Sequence, residues 1–224
     1  MNNRQILALT AMIALTPLFA NAAAGQTLAG PYIGLAAGSD MPSDSDLDID
    51  VNLGSFHSTN HVTSKWANGW GISAVGGYKW DFGLRTEAEF SFRSQGIKAF
   101  NTSPWNGTQW DNSLMVNALY DIPTGTRFTP YIGGGIGGTH LEWLNNFRPA
   151  GTSVIYDAGD LQFGWQGIVG LAYAVTPQIE ATLDFRIKGA TGFRFPANVA
   201  GIVARNFDYQ TQSLFLGVRY AFGG

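Results

Sequence analysis

The residues best placed to do chemistry are charges at every second position. Glu87 and Glu89 precede Arg93 in Thr86-Glu87-Ala88-Glu89-Phe90-Ser91-Phe92-Arg93. Glu180, Asp184, Arg186 and Lys188 recur in the same way around Ala181-Thr182-Leu183-Asp184-Phe185-Arg186-Ile187-Lys188, and Arg219 lies near the C-terminus. In a strand this spacing sends the charges to one face and the apolar residues to the other. Paired carboxylates can serve glycoside hydrolysis, where they flank a scissile bond. Glu87 and Glu89 instead share one face of one strand with cations nearby, so the pattern predicts ion pairing rather than acid–base catalysis. If that face is enclosed, its charges must be paired or hydrated.

Other candidate sites fail on spacing. Asp44, Asp46, Asp48 and Asp50 alternate, but an EF-hand counted from Asp44 needs Gly sixth and an acid twelfth, where Ile49 and Ser55 stand. They read as a solvated acidic loop. His57 and His61 have the i, i+4 metal spacing but lie among Ser and Thr, with no helix and no accompanying Glu. Gly133 to Gly138 formally contains GxGxxG, yet a strand pattern rather than a helix follows it. The chain has no cysteine, which excludes disulfides and thiol catalysis. No catalytic, metal or cofactor site is therefore expected.

The elements that must position the charges are short alternating segments. They run over about Tyr32–Ser39, Gly69–Lys79, Leu84–Arg93, Ser113–Tyr120, Phe128–Trp143, Leu161–Val175, from Gln178 onward, and Ser213–Phe222. In the first, Tyr32, Gly34, Ala36 and Gly38 would face inward. The connections alternate strictly. Long polar stretches (40–68, 94–111, 144–160, 189–208) alternate with the tight turns Trp80-Asp81-Phe82-Gly83, Asp121–Thr126 and Thr176-Pro177-Gln178. Eight strands with loops sorted by length predict an all-β, eight-stranded antiparallel up-and-down transmembrane β-barrel, apolar outside and charged within. A soluble barrel has no reason to sort its loops. Glycine within strands suits a tightly curved barrel with a narrow lumen. Tyr78, Trp80, Tyr120, Tyr173, Tyr220 and Phe222 would ring one membrane face, and Trp66, Trp70, Trp143 and Trp165 the other.

Residues 1–22 read as a cleaved secretory signal, with Arg4, an apolar run from Ile6 to Ala20, and Ala20-Asn21-Ala22 at the cut. Residues 23–224 would form the barrel. Of the 13 basic side chains Arg4 is lost, leaving 12 against 16 acidic ones, a net charge of −4 that argues against a nucleic-acid partner.

Gly76-Gly77-Tyr78, Glu87-x-Glu89-Phe90, Thr129-Pro130-Tyr131-x-Gly133, Ala172-Tyr173-x-x-Thr176-Pro177 and Leu216-Gly217-Val218-x-Tyr220-x-Phe222 stand in order along the chain. Together they resemble the small eight-stranded outer-membrane barrels of the opacity-protein and OmpA transmembrane-domain type, often termed porin-family. The resemblance implies a monomeric or weakly associating barrel in a Gram-negative outer membrane, contacting lipid and lipopolysaccharide and inserted by the outer-membrane assembly machinery. Phe222 would carry the assembly signal, here followed by Gly223 and Gly224.

The expected role is structural or in surface interaction, with loops meeting an extracellular ligand. A narrow channel through the lumen charges is the transport alternative. An enzyme alternative, a lipid A-modifying barrel, would need an exterior Ser-His-Glu set. His140 with Glu142 is the nearest match, and no serine stands at a readable spacing.

Overall fold

The computed structural model describes residues 29–100, 103–147, 154–197 and 201–222; the signal assigned to residues 1–22 lies outside them. The chain runs as β1 (Gly30–Pro42), β2 (Ser45–Leu53), β3 (Phe56–Trp66), β4 (Gly69–Lys79), β5 (Leu84–Phe100), β6 (Ser103–Asp121), β7 (Phe128–Phe147), β8 (Val154–Ala174), β9 (Ile179–Pro196) and β10 (Ile202–Ala221). Eight strands form a ring in the order β1-β4-β5-β6-β7-β8-β9-β10, each antiparallel to the next. The ring shuts where β1 meets β10, from Tyr32↔Ala221 to Pro42↔Thr211. Closure of these eight leaves no strand edge at the level of the lipid, where each backbone N–H and C=O has a neighbouring strand to pair with.

The outer wall is apolar. Ile33, Leu35, Phe90, Leu114, Val116, Ile132, Ile136, Leu183, Leu216 and Val218 are all exposed. Tyr78 packs on Trp80 at 4.7 Å, Phe128 on Tyr173 at 4.9 Å and Tyr220 on Phe222 at 5.2 Å between ring centroids, all at the end with the short turns. Toward the other end Trp70, Phe92 and Trp110 form a row across β4, β5 and β6, with centroids 5.6 and 6.1 Å apart. Trp110 and Tyr120 on β6 are ten residues apart, about 33 Å of strand. Tilted as barrel strands are, that spans an apolar band of roughly 25 Å.

The long polar connections are not loops. β5 and β6 stay paired as far as Phe100↔Ser103, and β7 and β8 as far as Phe147↔Val154. The stretch 40–68 is mostly a hairpin, β2 against β3, turning at Gly54 with φ +62°. β2 joins β10 over Asp48–Val51, and β3 joins β5 at Ser64–Trp66, so the two replace β1 and β4 in the wall above the membrane. The physical reason is a change of solvent. Below, β7 turns Ile132 and Ile136 outward; above, it turns Leu141 and Trp143 inward. The apolar residues switch parity where lipid gives way to water, so a search for one continuous pattern sees it end.

This corrects the placement of two tryptophans. Trp143 is 1 % exposed and Trp66 7 %. Neither belongs to an outer ring; both point into an interior apolar cluster, because Tyr131, Thr139, Leu141 and Trp143 keep one inward parity along β7. Trp165 does lie on the outer wall.

Placing an arginine at Val116, exposed on the middle of β6, should cost about 2–4 kcal/mol in urea unfolding from phospholipid bilayers. The same change at Thr59, on the exposed hairpin, should be close to neutral.

Candidate functional site

The lumen is filled in layers. At the short-turn end, Arg85 Nε lies 2.8 Å from Asp121 Oδ1, and Lys79 Nζ 3.1 Å from Asp121 Oδ2. Tyr32 donates its hydroxyl to Glu87 at 2.5 Å, and Arg219 reaches Glu180 at 3.5 Å. Arg85 and Arg219 both stack on the ring of Tyr131, 4.5 and 4.7 Å from its centroid, while the Tyr131 hydroxyl donates to Asp184. A cation held against a desolvated ring gains about 2 kcal/mol.

The middle layer centres on Glu89, which is fully buried. It accepts from Arg186, from Asn117 at 2.7 Å and from Gln166 at 2.9 Å. Arg186 also donates to Asp184 at 2.7 Å. Above it, Asp111 accepts two bonds from Lys188 Nζ, at 2.6 and 2.7 Å, and lies 3.4 Å from Arg93. Arg93 and Arg186 stack on Phe215 as the lower pair stack on Tyr131, 5.6 and 5.1 Å from its centroid. Asp40 gathers Thr211, Ser213 and Gln95, and Arg93 lies 3.4 Å from it.

All eight charges singled out by spacing, Glu87, Glu89, Arg93, Glu180, Asp184, Arg186, Lys188 and Arg219, stand inside the ring. Four further buried charges, Asp40, Arg85, Asp111 and Asp121, were not marked by that spacing. Asp40 and Asp111 fall in stretches that read as loops, though each continues an inward parity: 36, 38, 40 on β1 and 111, 113, 115, 117 on β6. Phe215 and Tyr131 read as apolar residues, and nothing in a linear pattern marks an aromatic as an arginine platform. Among the described residues, seven buried carboxylates (Asp40, Glu87, Glu89, Asp111, Asp121, Glu180, Asp184) face Arg85, Arg93, Arg186, Lys188 and Arg219, with Lys79 at the rim. The lumen is thus one charge short of neutral.

Glycine sets how tightly this packs. A Cβ on Gly77 would lie 2.8 Å from the Tyr32 hydroxyl, and Gly170 lies as closely under the ring of Tyr131. Two voids within the lumen are small. One of about 10 Å³ lies between Tyr32, Arg85, Glu180 and Arg219, and one of about 20 Å³ lies beside Glu87, Asp184 and Arg186; each holds about one water.

An aromatic cap closes the far end. Trp143 stacks on Phe195 at 4.1 Å and meets Phe207 edge-on at 5.2 Å, with Trp66, Leu141 and Phe193 around them. Cap and lumen are joined where Trp143 Nε1 donates to Gln109 at 2.7 Å, Gln109 to Gln95 at 3.2 Å, and Gln95 to Tyr209 at 2.7 Å.

On the water-facing side of the β2–β3 hairpin, each acid meets a donor across the pair. Thr63 donates to Asp46 at 2.7 Å and Thr59 to Asp50 at 2.8 Å, while His61 pairs with Asp48. The side-chain amide of Asn206 on Asp48, and then His61, hold that carboxyl below the usual carboxylate range; Thr59 and then Arg205 do the same for Asp50. Among the described residues no group of three His, Cys, Asp or Glu could hold a metal ion. His140 stands between Asn112 and Leu161 across the strands.

Arg186→Met should destabilise the barrel by about 3–5 kcal/mol, because it strands Glu89 and Asp184 as buried charges. Adding Glu89→Gln should recover part of that loss in the same unfolding titration. Acid should act on the hairpin first. Carboxyls depressed in the folded state stabilise it above the unfolded pKa, about 3.9 for Asp, and lose that contribution as pH falls through the folded value. Hydrogen-exchange protection of β2, normalised to intrinsic rates, should therefore hold from neutral pH down to about 4 and fall below it. The double variant Asp48→Asn, Asp50→Asn should lack the step.

Comparison with known proteins agrees with this architecture. The sequence is 33 % identical to the outer membrane protein PagN of Salmonella typhimurium (strain LT2) over 117 residues, 49 % of each chain, so the match spans about half of that relative's length. Neisserial surface protein A superposes with a TM-score of 0.56 at 19 % identity, covering 86 % of this chain and 97 % of that one. OprG of Pseudomonas aeruginosa superposes with a TM-score of 0.58 at 14 % identity, covering 89 % and 100 %. The family profile described as "Outer membrane protein beta-barrel domain" matches residues 7–222, and the chain belongs to that family: it is a β-barrel of the bacterial outer membrane.

Proposed function

We propose that the protein is a closed barrel that works at the cell surface through its extracellular extension, and does not conduct. The observation that carries this reading is the filled lumen: voids of one water each beneath an aromatic cap. An ion path needs continuous water, and here the buried charges neutralise one another almost completely. The buried charges, the eight marked by spacing among them, act as a plug that holds the wall in shape. The two outer aromatic rows act as girdles at the membrane faces, the outer one formed by the exposed Trp70, Trp110 and Trp165 with half-buried Phe92 between.

The extension is the part left to meet a partner. It carries its own apolar core and stands clear of the membrane, in keeping with the name "surface protein" borne by the neisserial relative in structure. Residues 1–22 serve as the export signal, and the folded protein is a monomer. No catalytic role is assigned.

Planar-bilayer recording of the refolded protein, with folding checked by a heat-dependent gel shift, should show no steady openings. Openings whose conductance changes in Glu87→Gln or Arg186→Met would move the protein to the transport class.

A further inference from the structure

Among the described residues, the extracellular hairpin leaves one strand edge without a neighbour. β3 pairs with β2 from Phe56↔Leu53 to Ser64↔Ser45, yet meets β5 only at Ser64, Lys65 and Trp66. At that height β5 already turns back into β6, with Phe100 opposite Ser103. The other side of the hairpin is covered, since β10 lies along β2. Among the described residues no strand pairs with the outer edge of Phe56–Val62, roughly 20 Å of extended backbone.

Proteins blunt exposed edges with lysine, proline or a bulge. Phe56-His57-Ser58-Thr59-Asn60-His61-Val62 has no lysine or proline, its register against β2 is unbroken, and none of its residues has a positive φ. The edge is open for strand addition, in which main-chain hydrogen bonds supply affinity and alternate side chains supply choice.

We propose that this edge receives an extended cationic peptide segment, added to β3 as a further strand. The charge of the hairpin selects the occupant. Asp46, Asp48 and Asp50 stand on its water-facing side, one strand in from the edge, with Arg205 beside Asp50 and Lys65 exposed further along β3. An added strand would stand two strand spacings from that row, about 10 Å, within reach of long Lys or Arg side chains. A second copy of the chain fits less well, because it would bring an identical acidic row against this one. The proposal rests on the extracellular end being the interacting surface, and it names the partner's chemistry.

The test uses the full chain refolded in zwitterionic detergent and an eight-residue peptide of alternating lysine and threonine. A control peptide has the same sequence with every backbone amide N-methylated, which keeps charge and side chains but forbids strand pairing. At saturation the first peptide should slow hydrogen exchange of the outward amides of Phe56–Val62 by about tenfold or more, and the methylated one should leave them unchanged. The variant Asp46→Asn, Asp48→Asn, Asp50→Asn, with its gel shift intact, should bind the first peptide at least about tenfold more weakly. Equal binding of the two peptides would mean charge attraction without strand addition and would overturn the proposal. So would absent protection, or protection that rises with protein concentration alone and tracks a dimer mass. Conductance does not enter this assay, so its failure would remove the strand edge and leave the closed-barrel reading standing.

Discussion

Hydrocarbon offers no hydrogen bonds, and from that one constraint the rest of this protein follows. A wall of strands in lipid has to pair each backbone group internally, which forces the ring to close with β1 against β10. Eight strands make a narrow ring, so side chains fill its interior. Because the outer face must be apolar, the alternation of the strands leaves the polar residues for the inside. Charges driven there cannot stay unpaired. The lumen network is therefore a consequence of closure before it is anything else.

How that network is built distinguishes this barrel from a simple stack of ion pairs. Two aromatic rings, Tyr131 and Phe215, each hold two arginines against their faces, which favours the cations while they are desolvated. Carboxylates then sit between the layers: Asp184 touches both Tyr131 and Arg186, and Glu89 touches Arg186 together with the amides of Asn117 and Gln166. Removing one member leaves several others uncompensated, so the interior acts as a unit. Its packing depends on absent side chains as well, since glycine beneath Tyr32 and Tyr131 gives those rings their place.

Outside the membrane the same chain solves a different problem. The extension is wetted on its outer face, so its apolar residues turn inward and form an ordinary hydrophobic core of Trp66, Leu141, Trp143, Phe193, Phe195 and Phe207. One continuous wall thus has its apolar side outward in lipid and inward in water. The gluing residue is Gln109, bonded to Trp143 above and Gln95 below. The polar plug and the apolar cap thus fill two parts of one interior, below and above the point where lipid gives way to water.

The sequence by itself determined the eight lipid-spanning strands, the tight turns and the inward face. A period of two over Thr86–Arg93 or Ala181–Lys188 depends on the pleat of a single strand and is legible without any neighbour. It likewise marked Glu87, Glu89, Asp184 and Arg186 as one class of residue. It did not reveal that the polar stretches continue as strands, because the parity of their apolar residues changes with the surrounding solvent. For the same reason Trp143 read as an outer-ring aromatic. Asp111 meets Lys188, 77 residues apart, across the ring, and Asp40 meets Ser213, 173 apart, at the seam where β1 closes on β10. The tertiary structure alone decided these contacts, because register and closure, rather than any local preference, fix which inward side chains meet.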